Sequence, residues 1–265
     1  MTTTNGTPIK RQTGFIQSVD RALGILEAFT QDKPEVGVTD ISKGLGLNKS
    51  TAFGLLTTLE RRGYVEQNPD NGRYRLGLKI LDLYFAKMAG SDIVSIAHPV
   101  LVTLSAQLGE TVHLAVYDRG EVVYVDKVEA DNALRIASYV GKRNPSYCTG
   151  VGKCLLAYQP AAEIDRVLAA GLERRTPRTI VDPGILRAEL ASIRARSRAK
   201  DDEEFVLGLV CSAAPIHGPD GAVCAAVSVS APSIRSSSER FALFESAIGA
   251  AAASISSSLG YNPAR

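Results

Sequence analysis

The apolar positions between residues 38 and 77 predict two helices followed by a hairpin. Ile41 and Leu45 lie four residues apart, as on one face of a short helix. The longer run that follows has an apolar stripe with the spacing i, i+3, i+4 and i+7, made of Ala52, Leu55, Leu56 and Leu59. Apolar and polar residues then alternate in Tyr64–Glu66 and in Arg73–Leu76, which indicates two paired strands.

Capping and turn residues predict where these elements begin and end. The side-chain oxygens of Thr39 and Asn48 can accept a free backbone N–H, so we expect them to be the N-caps of the two helices. Gly46 and Gly63 allow the positive φ that ends each helix. The segment Asn68–Gly72 contains an Asn-Gly pair, which is typical of a β-hairpin turn.

Helix, turn, helix and basic hairpin in this order are typical of a winged helix-turn-helix. In that motif the second helix enters the DNA major groove and the hairpin, or wing, lies near the phosphates. The predicted DNA-contacting residues are Lys49, Ser50, Thr51, Phe53, Gly54, Thr58 and Arg61 of the helix, with Arg73 and Arg75 of the wing. The alternative is a plain helical hairpin whose arginines are merely solvated.

The segments around this motif complete a first domain. Residues 1–15 are rich in polar residues and are expected to be a disordered tail. Gln17–Phe29 has a helical pattern with Ser18 as its expected N-cap, and residues 32–37 are expected to form a loop. We place the DNA-binding domain at residues 16–77. The helix predicted at residues 78–90 is too apolar for an exposed linker, so it should pack against another subunit or the second domain.

Residues 91–265 show helices and antiparallel strands in blocks, which predicts an α+β fold with a sheet covered by helices. This layout is typical of an effector-binding, α/β sensory domain of the GAF or PAS kind. The expected helices are Ile93–Leu108, one beginning near Gly152, Ala161–Ala170, Pro183–Arg198 and Ser237–Leu259. The expected strands are Thr111–Tyr117, Val122–Val128, Leu134–Ser138, Val206–Ala214 and Ala222–Ser230.

Composition and charge agree with two globular domains in 265 residues, since 45% of the chain is hydrophobic and 22% is charged. The first 90 residues carry 12 Lys+Arg against 9 Asp+Glu, a mild basic excess that suits a DNA-binding part. We find no signal-peptide pattern and no run near ~18 apolar residues, so we expect a cytoplasmic protein without a membrane span. The cysteines lack CxxC spacing and should be reduced, buried thiols: Cys148, Cys154, Cys211 and Cys224.

The glycine-rich stretch after Thr149 resembles a phosphate loop only superficially. Gly150 and Gly152 lie two residues apart and Cys154 follows Lys153, whereas a Walker loop needs four residues between its glycines and a Ser or Thr after its lysine. The simpler interpretation is a turn that leads into a helix. The free N–H groups at that helix start would favour a carboxylate-bearing ligand.

No complete catalytic constellation can be identified in the sequence. Among the three histidines, His98 and His217 are expected to be structural or exposed, whereas His113 lies on a predicted strand and could point into a pocket. A metal site built from His113 with Cys148, Cys154 and Cys211 is an alternative that their irregular spacing disfavours. The acidic run at residues 201–204 is typical of a solvated face or a helix start, although one carboxylate could reach inward.

Several stretches together resemble the IclR family of bacterial transcriptional regulators, over about residues 16 to 260. They are QSVDRALGILEAF, ISKGLGLNKSTAFGLLTTLERRGYV, RYRLG, GKCLLA, DDEEFVLGLVCSAAP and AVSVSAPSIR. The resemblance implies an N-terminal winged helix-turn-helix, a linker helix that dimerises and a C-terminal effector-binding domain. It also implies dimers or tetramers on palindromic operators that respond to small organic ligands, often carboxylates. We expect no cofactor and no metal.

Carried over position by position, the resemblance places an effector pocket at Gly150, Val151, Asp201, Leu209, Cys211, Ser228 and Ser230. His113 joins this set from the strand pattern. Two departures stand out. Many relatives carry arginine where this chain has Gly54, and a Gly-Tyr pair where residues 197–200 read Ser-Arg-Ala-Lys. Because of the second departure, the resemblance does not fix the path of the loop before Asp201 or the role of that residue.

The prediction is therefore a ligand-responsive repressor or activator that acts as a homodimer, or as a dimer of dimers, on double-stranded DNA. An enzyme tethered to DNA by its N-terminal module is the competing class. A constitutive architectural DNA-binding protein is a third, which the size of the second domain disfavours.

Overall fold

The computed structural model describes residues 16–88, 93–130 and 136–262. The chain divides into two compact units, residues 1–90 and residues 91–265. The predicted tail and the predicted break near residue 91 lie outside the described residues. No helix of the described ranges is long and apolar enough to cross a membrane.

The first unit is a winged helix-turn-helix, as predicted. Its elements are α1 (Gln17–Glu27), β1 (Glu35–Val36), α2 (Val38–Gly44), α3 (Lys49–Arg61), β2 (Val65–Gln67), β3 (Tyr74–Leu76) and α4 (Lys79–Met88). Its core joins one apolar side chain from each of the first three helices, Ile25, Ile41 and Leu56, with Tyr74 of the hairpin. The predicted stripe on α3 is the face that packs there, because Ala52, Leu56 and Leu59 are buried.

One of the three predicted helix caps is correct. Asn48 Oδ1 accepts the Thr51 N–H at 2.8 Å and so caps α3. The Thr39 prediction is wrong, because α2 begins at Val38 and its N-cap position is Gly37, two residues before Thr39, without a side-chain bond. The Ser18 prediction is wrong for the same reason, since α1 already begins at Gln17.

The predicted loop before α2 contains a strand. Glu35 and Val36 pair with Arg75 and Tyr74 of β3, which also pairs with β2, so the wing is a three-stranded antiparallel sheet. Two residues are too few to show the alternation that identifies a strand, which explains why the sequence pattern missed it.

The second unit has a six-stranded sheet in the order β6-β5-β4-β9-β8-β7, and every pairing is antiparallel. The strands are β4 (Thr111–Asp118), β5 (Glu121–Val128), β6 (Arg143–Pro145), β7 (Ala199–Asp202), β8 (Leu209–His217) and β9 (Val223–Pro232). The helices are α5 (Ile93–Leu108), α6 (Gly150–Leu156), α7 (Ala161–Ala169), α8 (Pro183–Arg196) and α9 (Ser238–Ser258). The predicted α+β class is confirmed.

The alternation along the strands sorts their side chains onto two faces of the sheet. On one face Val112, Leu114, Val227 and Val229 pack with apolar residues of α5 and α9. On the other face Ala115, Ala213 and Ala226 pack with α6, α7 and α8. The polar residues that alternate with the first set therefore point toward the side that carries α6.

Three predictions for the second unit are wrong in detail. Ile136–Ser138 is not a strand, and the rest of the predicted strand lies outside the described residues. The short edge strands β6 and β7 were missed, and β7 contains Asp201 where a solvated face or a helix start was expected. Helix α6 begins at Gly150, two residues before the predicted start, because Thr149 Oγ1 accepts the Gly152 N–H at 3.1 Å.

Candidate functional site

The side of α3 opposite its buried stripe is open. Lys49, Ser50, Phe53, Gly54, Thr58 and Arg61 are all exposed, and Thr51 is half-buried. No heavy atom lies within 4 Å of the position that a Cβ on Gly54 would occupy, so packing does not require glycine there. The Thr58 hydroxyl donates to the Gly54 carbonyl at 2.9 Å, within the helix itself.

The basic residues of this unit fall into two groups. In the described part of the chain, Lys49 and Arg61 form no ion pair. By contrast, Arg73 Nη2 donates to Asp40 Oδ2 and to the Glu35 carbonyl, each at 3.2 Å, and thereby ties the wing to α2. Arg75 Nε donates to Glu66 Oε1 at 2.6 Å. Both wing arginines, predicted from sequence to lie near DNA phosphates, also form ion pairs within the domain.

A cavity of about 360 Å³ lies in the second unit. All the residues predicted for the effector pocket line it: His113, Gly150, Val151, Asp201, Leu209, Cys211, Ser228 and Ser230. They come from four strands and from the first turn of α6, and the strand register explains why they meet. His113 lies opposite Ser228, Ser230 lies opposite Cys211, and Cys211 lies opposite Asp201.

Two glycines allow α6 to begin directly above this face of the sheet. A Cβ on Gly150 would lie 3.1 Å from the Cβ of Cys211, which is tighter than most such contacts, so glycine lets the helix approach β8 this closely without displacing Cys211. A Cβ on Gly152 would lie 2.3 Å from Thr149 Oγ1, the atom that caps the helix. The first N–H groups of α6 therefore lie at the wall of the cavity.

Asp201 is 1% exposed and carries the only carboxyl group among the described residues that line the cavity. Its Oδ1 accepts the Glu204 N–H at 2.7 Å. Burial raises the pKa of Asp201 to about 7, and the nearby Glu204 carboxylate adds to the increase while Lys153 opposes it. Ser197, in a left-handed conformation at the end of α8, begins the short turn into β7, so the altered loop still delivers Asp201 to the cavity.

A buried ion pair between Lys153 and Glu204 lies close to Asp201. Lys153 of α6, 1% exposed, donates to Glu204, which is 6% exposed. Burial raises the pKa of Glu204, and the ammonium group of Lys153 opposes this rise. The Glu204 carbonyl also accepts the Thr179 hydroxyl at 2.7 Å. The loop that follows Asp201 is thus held at both its side chain and its backbone.

His113 is the buried histidine of the cavity. Its ring stacks on Tyr124 with 4.6 Å between the centroids, and its Nε2 lies 2.7 Å from Ser138 Oγ. Burial and the charges of Lys127 and Lys142 lower the pKa of His113 to about 3. The ring is therefore neutral at physiological pH.

Several cavity residues were not predicted from the sequence. They are Tyr124, Ile136, Ala137, Ser138, Lys142, Asn144, Thr149, Phe205, Val206, Leu207, Gly208 and Pro232. Most belong to loops or to the unpredicted β6 region, where no periodicity marks the inward side. The alternation in β5 identifies Tyr124 as an inward residue, so Tyr124 could have been predicted from the sequence pattern.

Within the described ranges no group of three or more His, Cys, Asp and Glu is arranged to hold a metal ion. All four cysteines are free thiols, and burial raises the pKa of Cys148 and Cys154 to about 12. Cys224 is exposed, so the expectation that all four are buried is wrong for that residue.

Comparisons with known proteins find related transcriptional regulators across nearly the whole chain. A family model described as "IclR helix-turn-helix domain" matches residues 18–69, and one described as "Bacterial transcriptional regulator IclR C-terminal" matches residues 85–257. The HTH-type transcriptional regulator XynR of Escherichia coli is 38% identical over 248 residues, covering 93% of this chain and 98% of XynR. The regulator KdgR of the same organism is 34% identical, covering 96% of this chain and 97% of KdgR.

Solved structures give the same result. The Thermotoga maritima IclR structure superposes with a TM-score of 0.75 at 33% identity, covering 92% of this chain and 99% of that one. An IclR homolog from Microbacterium hydrocarbonoxydans, complexed with 4-hydroxybenzoate, superposes with a TM-score of 0.84 at 25% identity and covers 92% and 99% of the two chains. With a DNA-binding motif in its first unit and a ligand-binding domain in its second, this chain belongs to the IclR family of bacterial transcriptional regulators.

Proposed function

We propose that this regulator binds operator DNA through the open face of α3 and that a small organic acid in the cavity of the second unit controls this binding. The observation that carries the proposal is the cavity itself, because the backbone N–H groups of α6, the hydroxyls of Ser228 and Ser230 and an apolar wall converge there. A structural relative with 4-hydroxybenzoate bound supports an organic acid as the ligand class.

DNA contact is proposed for the residues predicted on α3, with Lys49 and Arg61 as the available cations. Each cation that neutralises a phosphate adds about 0.9 to the slope of log affinity against log salt. We therefore expect Lys49→Ala to weaken binding to all duplex sequences and to reduce that slope by about 1. Fluorescence anisotropy with a labelled duplex, between about 50 and 200 mM salt, measures both quantities.

Two further variants make this measurement specific. Arg73→Ala tests the wing: because Arg73 is paired with Asp40, we expect a smaller change in slope than for Lys49→Ala. Arg119→Ala is the matched control, since Arg119 is highly exposed but lies in the second unit. An unchanged salt slope in Lys49→Ala would contradict the proposed role of α3.

Effector binding is proposed for the residues predicted on the cavity wall. We expect the double variant Ser228→Ala, Ser230→Ala to lose the effector response while still binding DNA, because it removes both hydroxyls from one strand face. Isothermal titration with 4-hydroxybenzoate and related acids measures ligand binding, and anisotropy measures DNA binding. Ser257→Ala, an exposed serine of α9, is the control. Wild-type-like titration by the double variant would overturn this assignment.

Self-association is proposed to involve α4 and the residue before it. Leu78, Leu81 and Leu83 there are between 49% and 78% exposed, which is unusual for large apolar side chains on a short helix. A homodimer, or a dimer of dimers, would cover them and match two half-sites of a palindromic operator. We expect Leu81→Glu to lower the molar mass in light scattering, whereas Ile234→Glu, at another exposed position, should not. Equal masses for both variants would count against this surface.

The Ser138–His113 contact is the one feature that favours the enzyme alternative, because a hydroxyl hydrogen-bonded to an imidazole is the start of a nucleophilic site. The chemistry of this contact favours a ligand-binding role over a catalytic one. A histidine with a pKa of about 3 is a weak general base at neutral pH. Moreover, no described residue forms a hydrogen bond with its Nδ1, where an orienting carboxylate would lie.

A further inference from the structure

The open face of α3 contains a large apolar side chain that the fold does not bury. Phe53 is 56% exposed, whereas the preceding residue, Ala52, is fully buried in the core of the unit. Lys49, a proposed DNA contact, lies one turn before Phe53 on the same side of the helix. Single exposed apolar residues are common on protein surfaces, so the surroundings of Phe53 decide whether this one has a role.

The hydroxyl groups around Phe53 donate their protons within the helix. Thr57 Oγ1 and Thr58 Oγ1 each donate to the carbonyl four residues earlier, and Ser50 Oγ donates to Asn48 Oδ1, each at 2.9 Å. A hydroxyl has one proton, so these three groups present lone pairs to the outside but no free donor. The polar side chains next to the ring are therefore poorly equipped to read a base by donating a hydrogen bond.

The charges of this face lie at its two ends. Lys49 and Arg61, without an ion pair among the described residues, are about 18 Å apart along the helix axis. Residues 50–59 between them contain no charged side chain, and Gly54 leaves open space beside the ring. In a helix-turn-helix the second helix lies in the major groove, so its ends suit the phosphates and its middle faces the base edges.

The base edges in the major groove differ in what they offer an aromatic ring. Guanine, adenine and cytosine present hydrogen-bond donors and acceptors there, and thymine adds an apolar group, its 5-methyl. A phenylalanine ring has no donor or acceptor for the polar groups. Contact with a methyl group removes apolar surface of both partners from water, which is favourable.

We propose that Phe53 is a sequence-reading residue of this regulator and that it selects thymine by packing against the 5-methyl group in the major groove. The inference rests on the proposed function, since it assumes that the open face of α3 lies against DNA. It adds the base that the middle of this helix prefers, and it assigns that preference to one side chain.

Deoxyuridine tests the proposal directly, because uracil pairs as thymine does and lacks only the methyl group. The full-length wild-type protein first selects a duplex from a randomised pool, and each thymine of that duplex is then replaced in turn by deoxyuridine. At one or more positions we expect binding to weaken by about fourfold, the equivalent of one buried methyl group. Fluorescence anisotropy at fixed salt measures the affinities. The proposal is wrong if every uracil duplex binds as tightly as the thymine duplex.

Variants assign the effect to Phe53. Phe53→Ala should bind the thymine and uracil duplexes equally, whereas Phe53→Leu, which keeps an apolar side chain, should retain most of the difference. Leu23→Ala on α1 is the matched control, since Leu23 is 54% exposed, and it should discriminate as the wild type does. Unfolding temperatures check that each variant is folded.

The alanine variant also separates contact from DNA shape. Removing a methyl group alters base stacking as well, and an effect that acts through the duplex alone would persist in Phe53→Ala. A Phe53→Ala protein that still prefers thymine by about fourfold would therefore show that Phe53 does not read the methyl group.

Failure of this inference and failure of the proposed function give different results. If Lys49→Ala lowers the salt slope while deoxyuridine changes no affinity, α3 binds DNA but Phe53 does not select thymine. If the salt slope is unchanged and no duplex discriminates, both the proposed role of α3 and this inference are contradicted.

Discussion

Replacing Lys153 by alanine is expected to lower the free energy of unfolding by about 3–5 kcal/mol, because the change leaves the Glu204 carboxylate buried without its cation. Both groups of this pair are almost fully buried, and their side chains meet from positions 51 residues apart. Urea denaturation followed by circular dichroism measures the loss. The transition of the second unit should shift, whereas that of the first unit should stay in place.

Two further variants establish the cause of this loss. Lys200→Ala removes a half-exposed lysine and should change stability by less than about 0.5 kcal/mol. The double variant Lys153→Met, Glu204→Gln removes both buried charges and should recover much of the lost stability, since a buried ion pair is often replaceable by neutral groups. A loss below about 1 kcal/mol in Lys153→Ala would show that Glu204 is not held by this lysine.

The second large effect is expected for Asp201→Asn, which should stabilise the protein at pH 8 by on the order of 2–4 kcal/mol. The pKa of Asp201 is raised from 3.8 to about 7 in the folded protein, mainly by burial. Between these values the folded state binds the proton more tightly than the unfolded state. Stability is therefore lost as the pH rises from about 4 to 7, and asparagine, which carries no charge, avoids this loss.

Unfolding midpoints of wild type and Asp201→Asn, measured from pH 4 to pH 8, test whether ionisation of Asp201 lowers the stability of the wild-type protein. The two proteins should differ least near pH 4, where folded Asp201 is protonated and the unfolded carboxyl is only partly ionised, and they should diverge as the pH rises. Asp202→Asn, at the half-exposed neighbour, should keep the wild-type pH profile. Parallel curves for Asp201→Asn and wild type would contradict a buried, easily protonated Asp201.

The same variant separates stability from function. Asparagine can still accept the Glu204 N–H through its side-chain oxygen, so the loop should keep its path. The variant also replaces a titratable carboxyl group in the cavity wall with a neutral amide, which changes the hydrogen bonds and the charge that a ligand meets. We therefore expect a more stable protein that responds less well to its effector, as is common where a buried charge serves binding.

The first unit could be predicted closely from the sequence because its signals are local. The α3 stripe, the Asn48 cap and the Asn-Gly turn of the wing all depend on residues near each other in the chain. The errors were local too. Thr39 is a good capping residue one turn from an apolar position, but the chain had already become helical at Val38. Helix starts one or two residues apart differ too little in energy for a sequence pattern to separate them.

The sequence by itself determined which residues alternate on the strands, and this was enough to place His113 among the candidates for a pocket and Ser228 and Ser230 on one face of one strand. A period of two follows from backbone geometry, which every strand shares. The resemblance to the IclR family supplied the remaining members of the pocket.

Only the tertiary structure decided which charges are buried and which are paired. Arg73 is paired with Asp40, and Glu204 is paired with Lys153. The energy of a charge depends on its burial and on partners that are distant in the chain, and no local pattern records either. For that reason the acidic run at residues 201–204, interpreted from sequence as a solvated face or a helix start, contains the buried carboxyl group of Asp201 that lines the cavity.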